Sequence, residues 1–319
     1  MSLLVTYRTL RRLGVLGMNQ RNAEFVLPNN PRRNYPRVDD KLRTKRLAAA
    51  AGIPVPALLG VVAFDHELRN LPRVLDGLTQ FVLKPARGSQ GNGIVVVTDV
   101  ENGTYRRPSG RILSFQQLRQ HVSSTIAGVF SLSGDVDTCL VEDRVIAHPG
   151  FENLTRLGIP DVRVIVYRGV PVMAMCRLPT LASDGRANLH QGAIAAALDL
   201  ATGRIVSAAY RNQPITHHVD TEAPIVGFEV PQWDAVVSLA ARASAVSGLG
   251  YVGVDVVIDA LRGPVLLELN ARPGLAIQVA HLEGLLPRLR AVEGLGDTMQ
   301  MEWTERCALA RRLFARPSR

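Results

Sequence analysis

Three oxygen-bearing side chains stand close together late in the chain: Asp255 in the apolar run 252–259, and Glu268 and Asn270 in the run 264–270. If a four-residue loop joins the runs so that Asp259 pairs with Pro264, Asp255 faces Glu268 across a hairpin. Side chains alternate along strands, which puts Asn270 on the face of Glu268. Two carboxylates and a carboxamide then converge on an otherwise apolar hairpin. Neighbouring buried anions repel, and isolated burial costs several kcal/mol, so a cation belongs between them. Hard oxygen donors with one neutral amide suit Mg2+. The alternative for the same residues is a pair of edge-strand acids neutralised by arginines such as Arg272.

A second candidate constellation is basic. Of 37 basic residues only Lys41, Lys45 and Lys84 are lysines, and the rest are arginine. Lys84 closes the run 81–84, which reads as a strand; 85–93 is a loop with Gly88, Gly91 and Gly93, and 94–98 is a return strand. Strand–glycine loop–strand differs from the strand–loop–helix of a Walker or Rossmann site. His217-His218 has no accompanying acid or cysteine cluster and is expected at the surface.

The elements that must position these groups mix helices and strands. Asp39-Asp40 starts a helix over 41–51 that 52–56, Gly-Ile-Pro-Val-Pro, stops. Extended runs follow at 57–64, 138–145, 162–167 and 170–177, the last two around Arg168-Gly169, and again at 193–198 and 204–210. Helices are expected over 114–128, over 232–246 with apolar positions 236, 239, 240, 243 and 246 on one face, near 281–291 and over 300–315. Strands and helices mix without regular βαβ alternation, which predicts an α+β fold.

With 47% hydrophobic and 20% charged residues, the chain supplies real cores, which excludes a disordered or low-complexity architecture. Residues 1–46 carry 11 basic and 3 acidic side chains and 301–319 carry 5 and 2, whereas 47–300 carry 21 and 23. The formal charge of +9 therefore belongs to the two ends, and a nucleic-acid groove through the centre is not supported. The ends read as solvated basic helices; a contact of the N-terminal arm with RNA, a ribosome, acidic lipid or an acidic protein stays open. Cys139, Cys176 and Cys307 lie far apart with no CxxC pair, which excludes a disulfide framework and a zinc knuckle. Arg8, Arg11 and Arg12 interrupt the apolar positions of the first 17 residues, so no secretory signal is written there, while an Arg-rich amphipathic presequence stays open. No uncharged apolar run approaches the roughly 20 residues of a membrane span. The expectation is a soluble, cytoplasmic protein.

In order, DDKLRTK before GIPVP, FVLKPARGSQGNGIVVV, the VED at 141–143, and VDVVID with LLELNARPG resemble the signature of the ATP-grasp superfamily. DVRV at 161–164, RANLHQGA at 186–193 and NARPG at 270–274 resemble more closely the glutamate ligases that modify ribosomal protein and the α-L-glutamate-ligase-like proteins. The resemblance implies an ATP-grasp fold, two α+β lobes gripping ATP between them. The N-terminal lobe is 39–145 with a glycine flap at 84–94, and the C-terminal lobe is 146–295 with the metal site. A basic helix and arm over 1–38 and a basic helix over 296–319 flank them. Only 40 residues precede Lys41, too few for the further α/β domain that glutamate ligases carry in front.

Site roles carry over residue by residue. The resemblance makes Lys41 and Lys84 the phosphate-side lysines, with Lys45, one helical turn on, able to share the first role. Ser89, Gln90 and Gly91 form a flap whose glycines let backbone N–H groups approach phosphates. Glu142, Asp143 and Val145 hold adenine through backbone groups. Asp161 holds the ribose hydroxyls, although the excursion 146–160 separates it from that segment; its alternative is a loop acid paired with Arg163. Arg163, Arg177 and Arg186 point to phosphates, for which bidentate guanidinium is suited, and Arg177, Arg186 and Asn188 form the catalytic set. Asp255, Glu268 and Asn270 hold two Mg2+ ions, with Mn2+ as a substitute. His190 is a phosphate or substrate contact, or a hydrogen-bonded structural histidine.

The implied activity is ATP-dependent ligation of a carboxylate to an amine through an acyl phosphate, with an amino acid such as L-glutamate as donor and a small molecule, peptide or protein amine as acceptor. The rivals are a sugar-associated ATP-grasp ligase, a nucleotide-binding module without ligase activity, and a basic-armed RNA- or ribosome-binding protein.

Overall fold

The computed structural model describes residues 3–88, 91–131 and 134–316, and within the first helix the side chains from Tyr7 onward. Ser89 and Gln90, expected in the flap, lie outside the described residues. Helices and antiparallel sheets mix along the chain, so the fold is α+β as expected. Two compact units form, a smaller one drawn from 40–45 and 55–145 and a larger one drawn from 1–39, 46–54 and 146–319.

The smaller unit contains β1 (Leu58–Val62), β2 (Phe81–Pro85), β3 (Val95–Val97), β4 (Asp99–Glu101), β5 (Thr104–Arg106), β6 (Ile112–Ser114) and β7 (Cys139–Glu142). One antiparallel sheet runs β1-β7-β2-β3 and a second runs β4-β5-β6. Phe81 and Leu83, Val95 and Val97, and Cys139 and Val141 bury into one core with Leu118 and Val122. The last two belong to the helix Phe115–Ile126, which starts on a reciprocal cap: Ser114 accepts from the Gln117 amide, and the Gln117 side chain accepts from the Ser114 amide. Since alternate side chains take opposite faces, Lys84 and Glu142 leave on the side away from this core. Leu83 pairs with Val141 and Lys84 with Leu140, which makes Lys84 and Glu142 diagonal neighbours.

The larger unit contains β8 (Asp161–Tyr167), β9 (Val170–Leu178), β10 (Ile194–Leu198), β11 (Ile205–Tyr210), β12 (Gln213–Ile215), β13 (Tyr251–Asp259) and β14 (Gly263–Asn270). They form one antiparallel sheet in the order β12-β11-β10-β9-β8-β13-β14. β9, β10 and β13 are buried along their whole length because the helices Trp233–Ser247, Ile277–His281 and Trp303–Phe314 pack on the sheet. β8 and β9 join through Arg168-Gly169, both with positive φ, +46° and +76°, the two-residue turn whose twist matches a hairpin.

The hairpin β13–β14 turns one residue earlier than the sequence predicts. Asp259 pairs with Gly263 rather than Pro264, leaving the loop 260–262, and Gly263 takes the left-handed φ of +73° that such a short turn needs. The pairing then slips by one residue at a bulge, where Val256 faces Leu266 and Asp255 faces Glu268 with Leu267 between. Asp255 meets Glu268 as expected, but through two shifts that cancel. Asp259 serves the turn: its Oδ1 accepts from the amides of Leu261 and Arg262, and its Oδ2 from the Ile146 amide and the Arg262 guanidinium.

The segment before residue 40 packs on this sheet. Asn30 donates to the carbonyls of Tyr251 (2.8 Å) and Ala271 (3.2 Å) and accepts from the Tyr251 amide (2.8 Å). Arg21, in a π-helical turn Arg21–Val26, donates to the Pro273 carbonyl at 2.7 Å. His218 departs from the expected surface place. It is buried, with Nε2 3.1 Å from the Pro179 carbonyl, while His217 alone is exposed; neighbours on an extended bridge such as His217 with Pro224 face opposite ways.

Candidate functional site

In the larger unit, strand order assembles a charged cluster on the sheet. β8 lies between β9 and β13, and the register sets Arg163 opposite Asp255 and Arg177 opposite Asp161. Arg163 Nε and Nη2 donate to the two Asp255 oxygens at 2.7 and 2.5 Å. Arg177 grips both Asp161 oxygens at 2.5 Å and reaches Asp255 Oδ2 at 2.8 Å. Asn270 Nδ2 donates to Glu268 Oε1 at 3.1 Å and lies 3.4 Å from Asp255 Oδ2. Asp255 is fully buried, Asp161 and Arg177 nearly so, and the Glu268 side chain keeps 33% exposure.

Burial pushes the Asp161 carboxyl up, to about 6, against the pull of Arg177 and with added repulsion from Asp255. Burial acts on Asp255 in the same direction, yet Arg163 and Arg177 outweigh it and hold that carboxyl below its usual range. For Arg177, burial disfavours the charge, and Asp161 with Asp255 more than restores it. The neutralising arginines are therefore Arg163 and Arg177; Arg272, the candidate for that role in the sequence, has its guanidinium 5.3 Å from the Tyr35 ring centre. Likewise Asp161 pairs with Arg177, not with Arg163.

Three carboxylates meet two guanidiniums here, a surplus of one negative charge. Among the described residues no three His, Cys, Asp or Glu side chains are grouped to hold a metal; the oxygen donors expected from the sequence are Asp255, Glu268 and the Asn270 carboxamide. This donor set fits a hard divalent cation: Glu268 offers exposed oxygen, and exchange of the Asn270 amide ends turns its oxygen inward. Asp255, whose two oxygens Arg163 and Arg177 already hold, would join such a site only by sharing one of them.

In the smaller unit, Lys84 Nζ lies 2.8 Å from Glu142 Oε2 and Lys45 Nζ 3.2 Å from Glu142 Oε1, all three buried. Lys45 also donates to the Pro56 carbonyl. Lys41, one turn earlier on the helix Lys41–Ala50, donates through Nζ to the Gly88 carbonyl at the entry of the glycine loop. Gly91 and Gly93 both have φ of +76°, and His121 Nε2, 2.9 Å from the Gly93 carbonyl, fixes the loop's far end. Two ammoniums share one carboxylate in this cluster, a surplus of one positive charge suited to an anion. The Asp143 amide donates to Ala57, and Val145 is buried.

The structure does not bring every expected residue to these clusters. Arg186 is exposed, 4.0 Å from Asp184 and 3.5 Å from Gln191. Asn188 caps a short turn by accepting from the His190 amide at 3.0 Å, and His190 is exposed. Two contributions escape a reading by motif. The Glu142 carboxylate joins both lysines, which strand alternation of FVLK against CLVE was enough to suggest. Asn30 and Arg21 fix the backbone at Ala271 and Pro273, and nothing local in the sequence marks them.

Residues 20–294 match the family described as Sugar-transfer associated ATP-grasp. The chain belongs to that family. The ATP-grasp resemblance and fold class hold. Among curated proteins the chain is similar to a "Probable alpha-L-glutamate ligase" of Maridesulfovibrio salexigens, 27% identical over 238 residues, 74% of this chain and 56% of that protein. It is also similar to the "Ribosomal protein bS6--L-glutamate ligase" of Salmonella paratyphi B, 26% identical over 299 residues, 94% of this chain and 71% of that one. The match spans little more than half the length of the first relative. Among solved structures, D-cycloserine synthetase DcsG is similar with a TM-score of 0.47 and 19% identity over 83% of this chain and 72% of that one. No helix among the described residues is long and apolar enough to cross a membrane.

Proposed function

We propose that this ATP-grasp chain is an ATP-dependent carboxylate–amine ligase, with L-glutamate the first donor to test because two relatives are named glutamate ligases. The observation that carries the reading is the convergence of Asp255, Glu268 and Asn270 with Arg163 and Arg177 on one sheet face. Lys41 and Lys84, with Ser89, Gln90 and Gly91 of the flap, would contact phosphates; Glu142, Asp143 and Val145 would hold adenine and Asp161 the ribose. Asp255, Glu268 and Asn270 would hold two Mg2+ ions, or Mn2+, which when bound neutralise phosphate oxygens. In this reading the lobes span 39–145 and 146–295, flanked by the basic segments 1–38 and 296–319.

A donor carboxylate oxygen attacks the γ-phosphorus as the bond to ADP breaks, giving an acyl phosphate. The amine nitrogen then attacks the acyl carbon, phosphate leaves, and the nitrogen loses a proton. Arg163 and Arg177, with Arg186 and Asn188 from the loop outside that cluster, would hold the reacting oxygens and the guanidiniums would neutralise them, so positioning and electrostatics lower the barrier without a covalent protein nucleophile. The reaction belongs in the cytoplasm, where ATP is supplied and the unpaired Cys139, Cys176 and Cys307 stay reduced.

The test is ADP release over a panel of donor acids and amine acceptors, with product mass measured. Release that needs both partners and adds the donor's mass supports the reading; ATP binding with no release for any pair overturns it in favour of nucleotide binding alone, and release that needs neither partner overturns it in favour of ATP hydrolysis. Full turnover by Glu268→Ala would remove the metal assignment. The sugar-associated family description favours a second reading in which the acceptor is carbohydrate-linked, and amino sugars belong in the acceptor panel.

A further inference from the structure

We infer that the helix Leu3–Arg12, with the turn that follows it, docks the protein onto an anionic lipid surface. Residues 7–13 are all exposed, among them Tyr7 (61%), Leu10 (44%) and Leu13 (47%). Tyr7 and Leu10 are three residues apart and share one side of the helix; Arg11 borders them, and Arg8 with Arg12 fills the other side. Among the described residues none of these three arginines is paired with a carboxylate. Met18 (64%) and Leu27 (60%) add exposed apolar side chains to the same segment.

The helix is bare from Tyr7 onward and fixed at its end. The Leu13 and Gly14 carbonyls accept from the amides of Gly284 (3.0 Å) and Leu286 (3.1 Å). Leu16 is buried and exchanges two hydrogen bonds with the Gln278 side chain, 2.7 and 3.1 Å. A ten-residue helix is marginal in water by itself, so a partner that covers the apolar side stabilises it.

Charge selects that partner. Residues 7–13 carry Arg8, Arg11 and Arg12 and no acidic side chain, and exposed arginines beside an apolar stripe meet the requirements of an interfacial helix on acidic headgroups. RNA would neutralise the arginines and leave Tyr7, Leu10 and Leu13 in water. A phospholipid surface takes both, and tyrosine suits its boundary. With no described helix able to span a bilayer, the attachment is peripheral and reversible.

The experiment is co-sedimentation of the full chain with vesicles of phosphatidylcholine alone and of phosphatidylcholine mixed with phosphatidylglycerol. Binding is expected only to the mixed vesicles and is reversed by salt. Each arginine near an anionic leaflet contributes about a fivefold factor, so Arg8→Ala, Arg11→Ala and Arg12→Ala combined should weaken partitioning roughly a hundredfold. Tyr7→Ser with Leu10→Ser should also weaken it, at unchanged charge. Arg111→Ala with Arg119→Ala, two exposed arginines elsewhere, should not. Thermal unfolding of the variants should match the parent, since only exposed side chains change. No binding to mixed vesicles, equal binding to neutral ones, or binding that survives both helix variants overturns the inference. So does RNA that binds more tightly than the vesicles and is lost with the arginines but not with Tyr7 and Leu10.

Discussion

Arg177→Met removes a guanidinium while keeping most of the side chain's length, and its cost can be worked from the cluster. Asp255 keeps Arg163, which holds both its oxygens. Asp161 loses the two 2.5 Å bonds from Arg177, its only ion pair among the described residues. An unpaired buried charge of this kind costs about 3–5 kcal/mol. Asp161 can escape that cost by taking up a proton, because burial already pushes its carboxyl up to about 6 with Arg177 in place, and without the guanidinium only the weaker pull of Arg163 opposes that push. The sign follows from proton counting. Above the ordinary carboxylate range and below its raised folded value, Asp161 is protonated in the folded variant and ionised in the unfolded chain, so stability falls as pH rises, by about 1.4 kcal/mol per pH unit. Urea unfolding followed by circular dichroism between about pH 5 and 8 should therefore show a deficit near 3 kcal/mol or more at the alkaline end that shrinks toward the acid end. Adding Asp161→Asn removes the orphaned charge and should recover most of the alkaline deficit. A loss below about 1 kcal/mol at every pH, or a double variant no more stable than Arg177→Met, would refute the account of this pair as a buried charge held by its partner.

Lys84→Arg keeps the charge but replaces a compact ammonium 2.8 Å from Glu142 with a larger planar fork, so ADP release should drop roughly tenfold or more; unchanged kinetics would remove Lys84 from the proposed phosphate contacts. His281 is held to about 3 by burial, with Arg288 and Arg316 adding to the fall, while Nε2 lies 2.7 Å from the Ala174 carbonyl. Its stabilising contribution is present above the unfolded value near 6.5 and drains away as pH falls toward 3, by about 1.4 kcal/mol per unit. His281→Gln should flatten that acid limb in denaturant midpoints, and an unaltered limb would exclude the histidine as its source. Asn30→Ala deletes three buried hydrogen bonds and should cost about 2–4 kcal/mol, with faster amide exchange at Tyr251; a loss under about 1 kcal/mol would mean the β13–β14 hairpin is held elsewhere.

The strands legible in the sequence were those with a strong apolar period. β8, β9 and β13 announce themselves because sheet and helices bury nearly every side chain along them. β4, β5 and β6 do not, since of those three short strands only Tyr105 and Leu113 are buried. The expected helix near 281–291 is in fact two, Ile277–His281 and Leu286–Glu293, because Leu282 takes a left-handed φ of +53° and Pro287 starts the next helix. The facing of Asp255 and Glu268 was legible from register alone, although a shorter turn and a bulge had to cancel for it to hold. What no local pattern contained is the partner of each arginine. Arg163 reaches Asp255 only because β8 pairs with β13, 92 residues away along the chain, and sheet order is a long-range property.

The division between arginine and lysine follows the same physics. A guanidinium can occupy both oxygens of a carboxylate at once, as Arg163 does on Asp255 and Arg177 on Asp161, so arginine locks acids into a fixed array. Lys45 and Lys84 each take one oxygen of Glu142, at 3.2 and 2.8 Å, and an ammonium has three donors to distribute. The lysine cluster is thereby left with a surplus positive charge and the hairpin cluster with a surplus negative one. Burial makes an unbalanced charge expensive. An anion at the lysines and a cation at Glu268 and Asn270 lower both costs. A nucleotide supplies phosphate anions and brings a divalent cation with them, whereas an acidic peptide supplies only the anion. For this reason, magnesium and ATP added together should raise the unfolding temperature by more than the sum of the shifts that each gives alone, and strictly additive shifts would count against magnesium with ATP as the ligand of the proposed function.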